Sequence, residues 1–467
     1  MQLPLPLRVS IFLLFPLIFL LQESVFISAN GATYDEPVYI NAGYYHYAHG
    51  DFTVNAEHPP LSKEFAALPL LLAHGNTKQL PPLNDIIASA RIPNVILGTL
   101  LILVIGLWSL WCFGFGPAIA AMGLTAFDPN LIAHAGLVTP DMPVTFFITL
   151  FLFLAWEYVQ HHSPWTLAGS ATALGAALAS KFTALVLLPL LLLYVLLMRP
   201  RGRQSPQTPW HLRSADAAFI VITALVLLAA LYHFHSFIFY VRGIAEQWNH
   251  SLTGSPSFLL GKYSLHAPLL YFPVVFFLKT PLPTLCLVIL SGIFFPWHDR
   301  TKRLTAFFLL IPAAVIFAAA MTSGIGIGVR YLLPAYPLLF IFASSAASAK
   351  SGLIRSAVTV LIIASAMSAL RVFPHSLAYV QEIAGGPDKA IALLSDSNID
   401  WGQNVRDVKT YMDEHHLSVI YFGPFGSVAP SEYGIRFQPL PASDSWKSSD
   451  IVPADGPQIL AISLTTL

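Results

Sequence analysis

Charge is what this sequence lacks most. Only 10% of its 467 residues are Asp, Glu, Lys or Arg, against about 25% in soluble domains. Twenty-four acids balance twenty-four bases, so the net charge is zero, and no basic surplus points to a nucleic-acid partner. Cysteine is scarce as well. Cys112 and Cys286 both lie in or beside apolar stretches, which excludes a disulfide framework and reads as two small buried hydrophobes. The pairs His161-His162, His233/His235 and His415-His416 do not have the spacing of a zinc site. No repeat of fixed period and no low-complexity tract is visible.

What the chain has in excess is apolar sequence: 55% of its residues are hydrophobic. Runs of 18 or more such residues recur, each long enough to cross a hydrocarbon core of about 30 Å. The first follows Arg8 and resembles a signal peptide, but the run from Val9 to Leu21 leads into Gln22-Glu23-Ser24 without a clear small-x-small cleavage site, so a retained span is expected. Breaks at Pro, Gly and charge place about eleven spans, near 8–28, 91–111, 117–137, 142–159, 166–180, 182–198, 214–236, 268–296, 304–321, 330–348 and 352–371.

Orientation follows from where lysine and arginine collect. The stretch 198–213 carries Arg199, Arg201, Arg203 and Arg213 without an acid, and the segments around Arg300 and Lys350 are also basic. The 29–90 loop holds six acids against two lysines, and the segment beyond Arg371 eleven acids against five bases. One topology accommodates all of these segments. The N-terminus is cytoplasmic, and the first loop and the C-terminal segment are extracytoplasmic.

The expected fold is therefore an α-helical polytopic membrane domain over 1–371, followed by a small soluble α/β extracytoplasmic domain over 372–467. In the latter, "KAIALLSDS" reads as a buried strand and "LSVIYFG" as a second. Between them "WGQNVRDVKTYMDEHH" reads as an amphipathic helix with Val405, Val408 and Met412 on one face. The closing "QILAISLTTL" looks like an unfinished strand, as if the chain were truncated.

Polar residues gather near the ends of the spans. Asp35-Glu36 follows span one, and the pair is either a solvated flank or a general base (or cation site) at the outer interface. Glu57-His58-Pro59-Pro60 comes next, the prolines holding the backbone extended ahead of a helix that starts near Leu61 and carries Lys63. That helix is too short to span, so it should lie in the interface plane and fold the loop back onto the membrane. His58 is expected as a hydrogen-bonding orienter. Asp141 sits in the next outer turn, as a helix cap, a site residue, or both. Lys181, Lys279 and Arg330 mark outer ends of later spans. Snorkelling explains each singly, but together they suit an anionic lipid phosphate at the outer surface. The glycines of "GIGIGVRYLLP" would let backbone N–H groups approach it. Asp396 and Asp400 fit ordinary turn chemistry or an acceptor contact, and Asn249-His250-Ser251 forms a sequon on the outer side.

Taken in order over roughly 10–435, the stretches "YDEPVYINAGYYHYAHGDFTVNAEHPPLSKEFAALPLLL", "TPDMPVTFFITLFLFLAWEYV", "ALGAALASKFTALVLLP", "LKTPLP", "GVRYLLPAYPLLFIFAS" and "LSDSNIDWGQNVRDVKTYM" resemble the polyprenyl-phosphate-dependent glycosyltransferases of the GT-C fold, the group that contains protein O-mannosyltransferases and aminoarabinose transferases. The resemblance implies a polyprenyl-phosphate sugar as donor, bound between the outer ends of the spans. Asp35 is implied as the catalytic base, with Glu36 beside it. Glu57 and Asp141 match acids of the same cavity, and Asp35, Glu57 and Asp141 are the residues that would hold a divalent metal if one takes part. Lys63, Lys181, Lys279 and Arg330, with Tyr331, match the phosphate-contacting positions. His58 stands where aminoarabinose transferases carry lysine. "SDSNIDWGQ" resembles a subgroup of uncharacterised bacterial members.

The expected activity is transfer of a sugar from the lipid-phosphate donor to an acceptor hydroxyl of a protein, lipid or glycan on the extracytoplasmic face, with inversion. A polytopic transporter or lipid flippase is the alternative, although transporters place charges near the midplane and carry internal repeats. A membrane assembly protein would account for Asp396 to Gln403 but not for the acids of the first loop.

Overall fold

A backbone surrounded by hydrocarbon has to satisfy its own hydrogen bonds, so the apolar runs fold as helices. A computed structural model describes residues 4–75, 81–198, 210–440 and 459–466. Arg199, Arg201 and Arg203, which bear on orientation, lie outside the described residues.

The chain enters as α1 (Leu5–Ala29) and passes through the acidic loop into a hairpin of α2 (Glu36–His49) and α3 (Leu61–His74), then α4 (Leu83–Phe113). Where one span was expected over 117–137 there are two short helices, α5 (Phe115–Ala126) and α6 (Pro129–Ala135). Asp128 makes the break. Its carboxylate accepts from the backbone N–H groups of Asn130 and Leu131 at 3.0 and 2.9 Å, and Pro129 occupies the first helical position, a combination that starts a helix rather than continuing one. Next come α7 (Asp141–His161), α8 (Pro164–Ser180), α9 (Leu187–Leu197) and α10 (Ser214–Leu231). A surface helix α11 (Ile238–Thr253) and a hairpin of β1 (Ser257–Leu259) and β2 (Lys262–Ser264) follow. The expected span over 268–296 is α12 (Tyr271–Lys279) and α13 (Leu282–Phe294), which meet at 108° across Thr280-Pro281. α14 (Arg300–Met321), α15 (Tyr336–Ser344) and α16 (Gly352–Leu370) complete the helical body.

Among the described residues, seven segments are long and apolar enough to cross a membrane: α1, α4, α7, α10, α14, Val329–Ser348 and α16. The bent α12–α13 pair makes eight. Pro, Gly and Asp break several of the other expected runs into helices shorter than that, such as α5, α8 and α9. Leu13, Leu17 and Leu21 of α1, Ile222 and Val226 of α10, and Val360 and Ile363 of α16 are exposed, as a lipid-facing surface requires.

Beyond α16 the chain runs through short 3₁₀ turns. The expected strand at "KAIALLSDS" is one of them, over Pro387–Ala392. Its place is taken by a three-stranded parallel sheet of β3 (Ile420–Gly423) between β4 (Phe437–Pro439) and β5 (Leu460–Ile462). The expected amphipathic helix is α17 (Val405–Glu414), and Val405, Val408 and Met412 pack with Ile420 and Phe422 in a small core of their own.

One buried ion pair ties the start of the bundle together. Arg91 of α4 grips Glu36 with two parallel bonds, Nε to Oε1 at 2.8 Å and Nη2 to Oε2 at 2.7 Å. It also donates to the carbonyls of Asn30 and Gly31 at 3.0 and 2.6 Å. Glu36 accepts further from Thr33 N (2.8 Å), Thr33 Oγ1 (3.1 Å) and Val138 N (2.8 Å). Both side chains are fully buried. Removing one partner of such a pair leaves an uncompensated charge and destabilises by about 3–5 kcal/mol. Arg91→Ala should therefore lower the thermal unfolding midpoint of the detergent-solubilised protein sharply, whereas a substitution of exposed Trp165 should leave it in place.

Candidate active site

A cavity of ≈ 230 Å³ is lined by Asp35, Tyr39, Asn55, Glu57, His58, Lys181, Gln247, His250, Arg330 and Tyr331. Six of the residues singled out in the sequence thus converge on one space, although they come from separate stretches of the chain. Asp35 is the residue before α2, and its Oδ2 accepts from Arg330 Nη1 at 3.1 Å. Arg330 belongs to a 3₁₀ turn over Val329–Ala335, and its guanidinium lies over the ring of Trp401 at 4.2 Å. Lys181 follows the last residue of α8. Its Nζ donates to Asp141 Oδ1 at 2.6 Å and sits 4.3 Å from the ring centroid of Tyr331.

Asp141 stands behind the cavity wall and is fully buried. It makes no helix-capping bond, so the cap role gives way to holding Lys181. Its Oδ2 has no hydrogen-bond partner among the described residues. Glu57 is exposed at the rim. His58 packs beside Tyr39 with ring centroids 5.4 Å apart. Burial, together with the positive charges of Lys181, Lys63 and Arg330, pulls its imidazole down to about 3, so it serves the cavity as a neutral ring.

Four expectations are corrected by the geometry. Glu36 points into the bundle, where Arg91, Thr33 and Val138 saturate both oxygens, so it anchors the loop and has no free oxygen for substrate. Lys63 Nζ donates to the carbonyls of Asn55 and His58, both at 2.8 Å. It staples the loop from behind, and burial pulls it down to about 7. Lys279 Nζ donates to the carbonyls of Leu377 and Asn398 at 2.7 and 2.5 Å, pinning the C-terminal segment. The glycines before Arg330 serve chain packing: a Cβ on Gly328 would lie 2.4 Å from Ser397 Oγ.

Asp35, Glu57 and Asp141 do not form a metal-ligand set. Asp35 and Asp141 are each engaged by a cationic side chain, and among the described residues no three His, Cys, Asp or Glu side chains converge as ligands would. Asp400 accepts from Gly402 N at 3.0 Å, which is turn chemistry, and from Ser463 and Thr465, which ties the turn to the residues after β5.

Sequence reasoning missed Tyr39, Asn55, Gln247, His250, Arg91 and Trp401. Arg91 carried a signal, a lone charge at the head of an apolar run. Gln247 and His250 come from α11, whose "IFYVRGIAEQWNHSLT" mixes polar and apolar residues with helical period. Trp401 lies in the stretch "SDSNIDWGQ", which marked the segment but not its contacts, since its partners are far away in the chain.

A second, apolar groove of ≈ 260 Å³ adjoins the polar cavity and shares Tyr331 and Gln247 with it. Ile148, Phe182, Leu185, Val186, Ile244, Trp248 and Ile316 contribute to its walls.

Residues 58–234 match the dolichyl-phosphate-mannose-protein mannosyltransferase family. In structure, the chain is similar to ArnT from Cupriavidus metallidurans solved bound to undecaprenyl phosphate, with a TM-score of 0.57 and 17% identity over 78% of this chain and 64% of that one. The chain has the GT-C fold. The oligosaccharyltransferase of Archaeoglobus fulgidus in its apo form is also similar, with a TM-score of 0.50 and 13% identity over 92% of this chain and 64% of that one. This GT-C chain thus spans less than two thirds of the length of either. No curated protein matches it in sequence.

The neutral state of His58 has a consequence for stability. Its folded value lies below the ordinary 6.5, so the unfolded chain takes up a proton before the folded one does. Its contribution is complete above about pH 6.5 and is lost as pH falls from there toward about 3. Between pH 7 and pH 5 the unfolding midpoint of the native protein should drop more than that of His58→Gln, and parallel curves would show that His58 titrates freely in the fold.

Proposed function

We propose that this chain is an integral-membrane glycosyltransferase. It transfers a sugar from a polyprenyl-phosphate-linked donor to an acceptor hydroxyl on the extracytoplasmic face, with inversion at the anomeric carbon. One observation carries the reading. A carboxylate and two cations share a cavity whose wall residue Tyr331 also borders an apolar groove. A ligand fitting both spaces has an anionic, hydroxyl-rich head and a long apolar tail. The undecaprenyl phosphate bound in the structurally similar ArnT is such a molecule without its sugar.

The division of labour follows from charge. The donor's leaving group is a phosphate, already stable as an anion, so no strong general acid is needed. Lys181 and Arg330 neutralise it as the C–O bond to the anomeric carbon breaks and the electron pair moves to the phosphate oxygen. The acceptor oxygen forms the new bond from the opposite face while its proton passes to Asp35. Arg330 lies between both events, since it holds Asp35 before the donor arrives. Tyr39, Asn55, Gln247 and His250 are placed to bond sugar hydroxyls, and Glu57 at the rim to meet the acceptor. The sugar is a hexose or pentose, and the acceptor hydroxyl belongs to a protein, lipid or glycan. The N-terminus lies in the cytoplasm, and the first loop and the segment after α16 lie outside. The convergence of charge on one cavity favours a transferase over a transporter, whose ionisable groups line a path through the bilayer.

The test is release of polyprenyl phosphate by purified protein from a panel of polyprenyl-phosphate sugars. Asp35→Asn should slow release by about 10²- to 10⁴-fold without loss of expression or fold. An unchanged rate would remove Asp35 from the role of base, and no release from any donor would overturn the assignment.

A further inference from the structure

The C-terminal stretch "SDSNIDWGQ" lies outside the helical bundle in sequence and carries no reacting group, yet it reaches both charged sides of the cavity. Asn398 accepts from Val329 N at 3.0 Å through Oδ1 and donates to Tyr271 Oη at 3.0 Å through Nδ2, so it fixes the backbone residue before Arg330. Ser397 Oγ donates to the carbonyl of Ile327, just ahead of the same turn. Three residues beyond Asn398, Trp401 is 2% exposed and lays its ring against the Arg330 guanidinium at 4.2 Å. Its carbonyl accepts from Tyr34 N at 2.9 Å, immediately before Asp35.

Trp401 is itself held firmly. Its N–H donates to Gln403 Oε1 at 2.7 Å, and Gln403 Nε2 donates to Ile399 O at 3.0 Å. Gly31 N closes onto the carbonyl of Gln403 at 2.8 Å. Gly402 turns the chain away with φ +93°, where a Cβ would lie 2.4 Å from the carbonyl of Phe425. A rigid residue therefore touches the cation through its ring and the carboxylate's loop through its backbone.

We infer that Trp401 is a positioning residue for the transfer reaction: its indole face fixes the plane of the Arg330 guanidinium so that one edge meets Asp35 and the other is free for the donor phosphate. This rests on the transferase reading above. An arginine on a flexible stem loses side-chain freedom when it is fixed. A desolvated aromatic face provides an attraction that holds it in one plane, where a bidentate partner such as phosphate is matched.

The experiment compares wild type, Trp401→Phe and Trp401→Leu as full-length detergent-purified protein, with steady-state kinetics on a polyprenyl-phosphate sugar to which the wild type responds. Trp401→Leu should raise the KM for the donor by at least about tenfold and lower kcat, with the KM for the acceptor unchanged. Trp401→Phe, which keeps a smaller aromatic face, should raise the donor KM by only a few fold. A merely structural role would lower the apparent kcat through the active fraction and leave both KM values in place, and that result overturns the inference. If Trp401→Leu does not yield folded protein, Trp401→Phe decides alone: a donor KM raised by a few fold supports the inference, and wild-type kinetics overturn it. A wild type inert toward every donor is a failure of the transferase reading itself and would withdraw the inference with it.

Discussion

The bidentate contact between Arg91 and Glu36 sets the geometry on which the cavity depends. It draws together the end of α1, the start of α2, the head of α4 and the turn at Val138, four pieces of chain that would otherwise meet only through apolar packing. In a hydrocarbon surrounding, packing between helices has little preference for one register over another, whereas a saturated ion pair tolerates a single arrangement. Asp35 is the residue next to that lock. Its position over the cavity follows from the anchoring of its neighbour.

The outer segment supplies a second constraint from the opposite side. Lys279, expected at a phosphate, instead donates to the carbonyls of Leu377 and Asn398, and Arg406 donates to Ser28 O at 2.7 Å and Asn84 Oδ1 at 3.0 Å. Tyr433 Oη accepts from Ala32 N at 2.9 Å. The segment beyond α16 is thus stitched along the first loop and the 3₁₀ turn bearing Arg330. Its small parallel sheet stands clear of the cavity, and the irregular turns between the sheet and the bundle make the contacts that bear on it.

Much of the site was legible before any coordinates, because ionisable residues beside apolar runs are expensive and so carry information. Asp35, Glu57, His58, Lys181 and Arg330 carried that signal and line the cavity, and Tyr331, marked by the resemblance alone, lines it with them. Glu36, Lys63 and Lys279 carried the same signal with a different meaning: each is engaged by partners inside the protein. Successive residues of a helix point about 100° apart, so Asp35 and Glu36, adjacent in sequence, face a cavity and a core respectively. Composition cannot reveal which of two neighbours turns inward. The places where the long runs break were hidden for a related reason. Apolar runs such as 117–137 and 268–296 are long enough to cross a bilayer, but Asp128 and Pro281 break them, and a break of one residue is invisible to average hydrophobicity. The part played by Trp401 was illegible because it lies in contacts with Arg330 and Tyr34, both distant from it in the chain.

Tyr331 forms part of two walls at once, with the polar cavity on one side and the apolar groove on the other. An occupant of both spaces must change from water-like to oil-like character within about the width of a phenol ring. The boundary therefore acts as a gauge of amphipathy. A soluble sugar phosphate would leave the groove unfilled, and a neutral lipid would bury the cavity's charges without answering them. Selection between ligands can thus occur at the junction of head and tail.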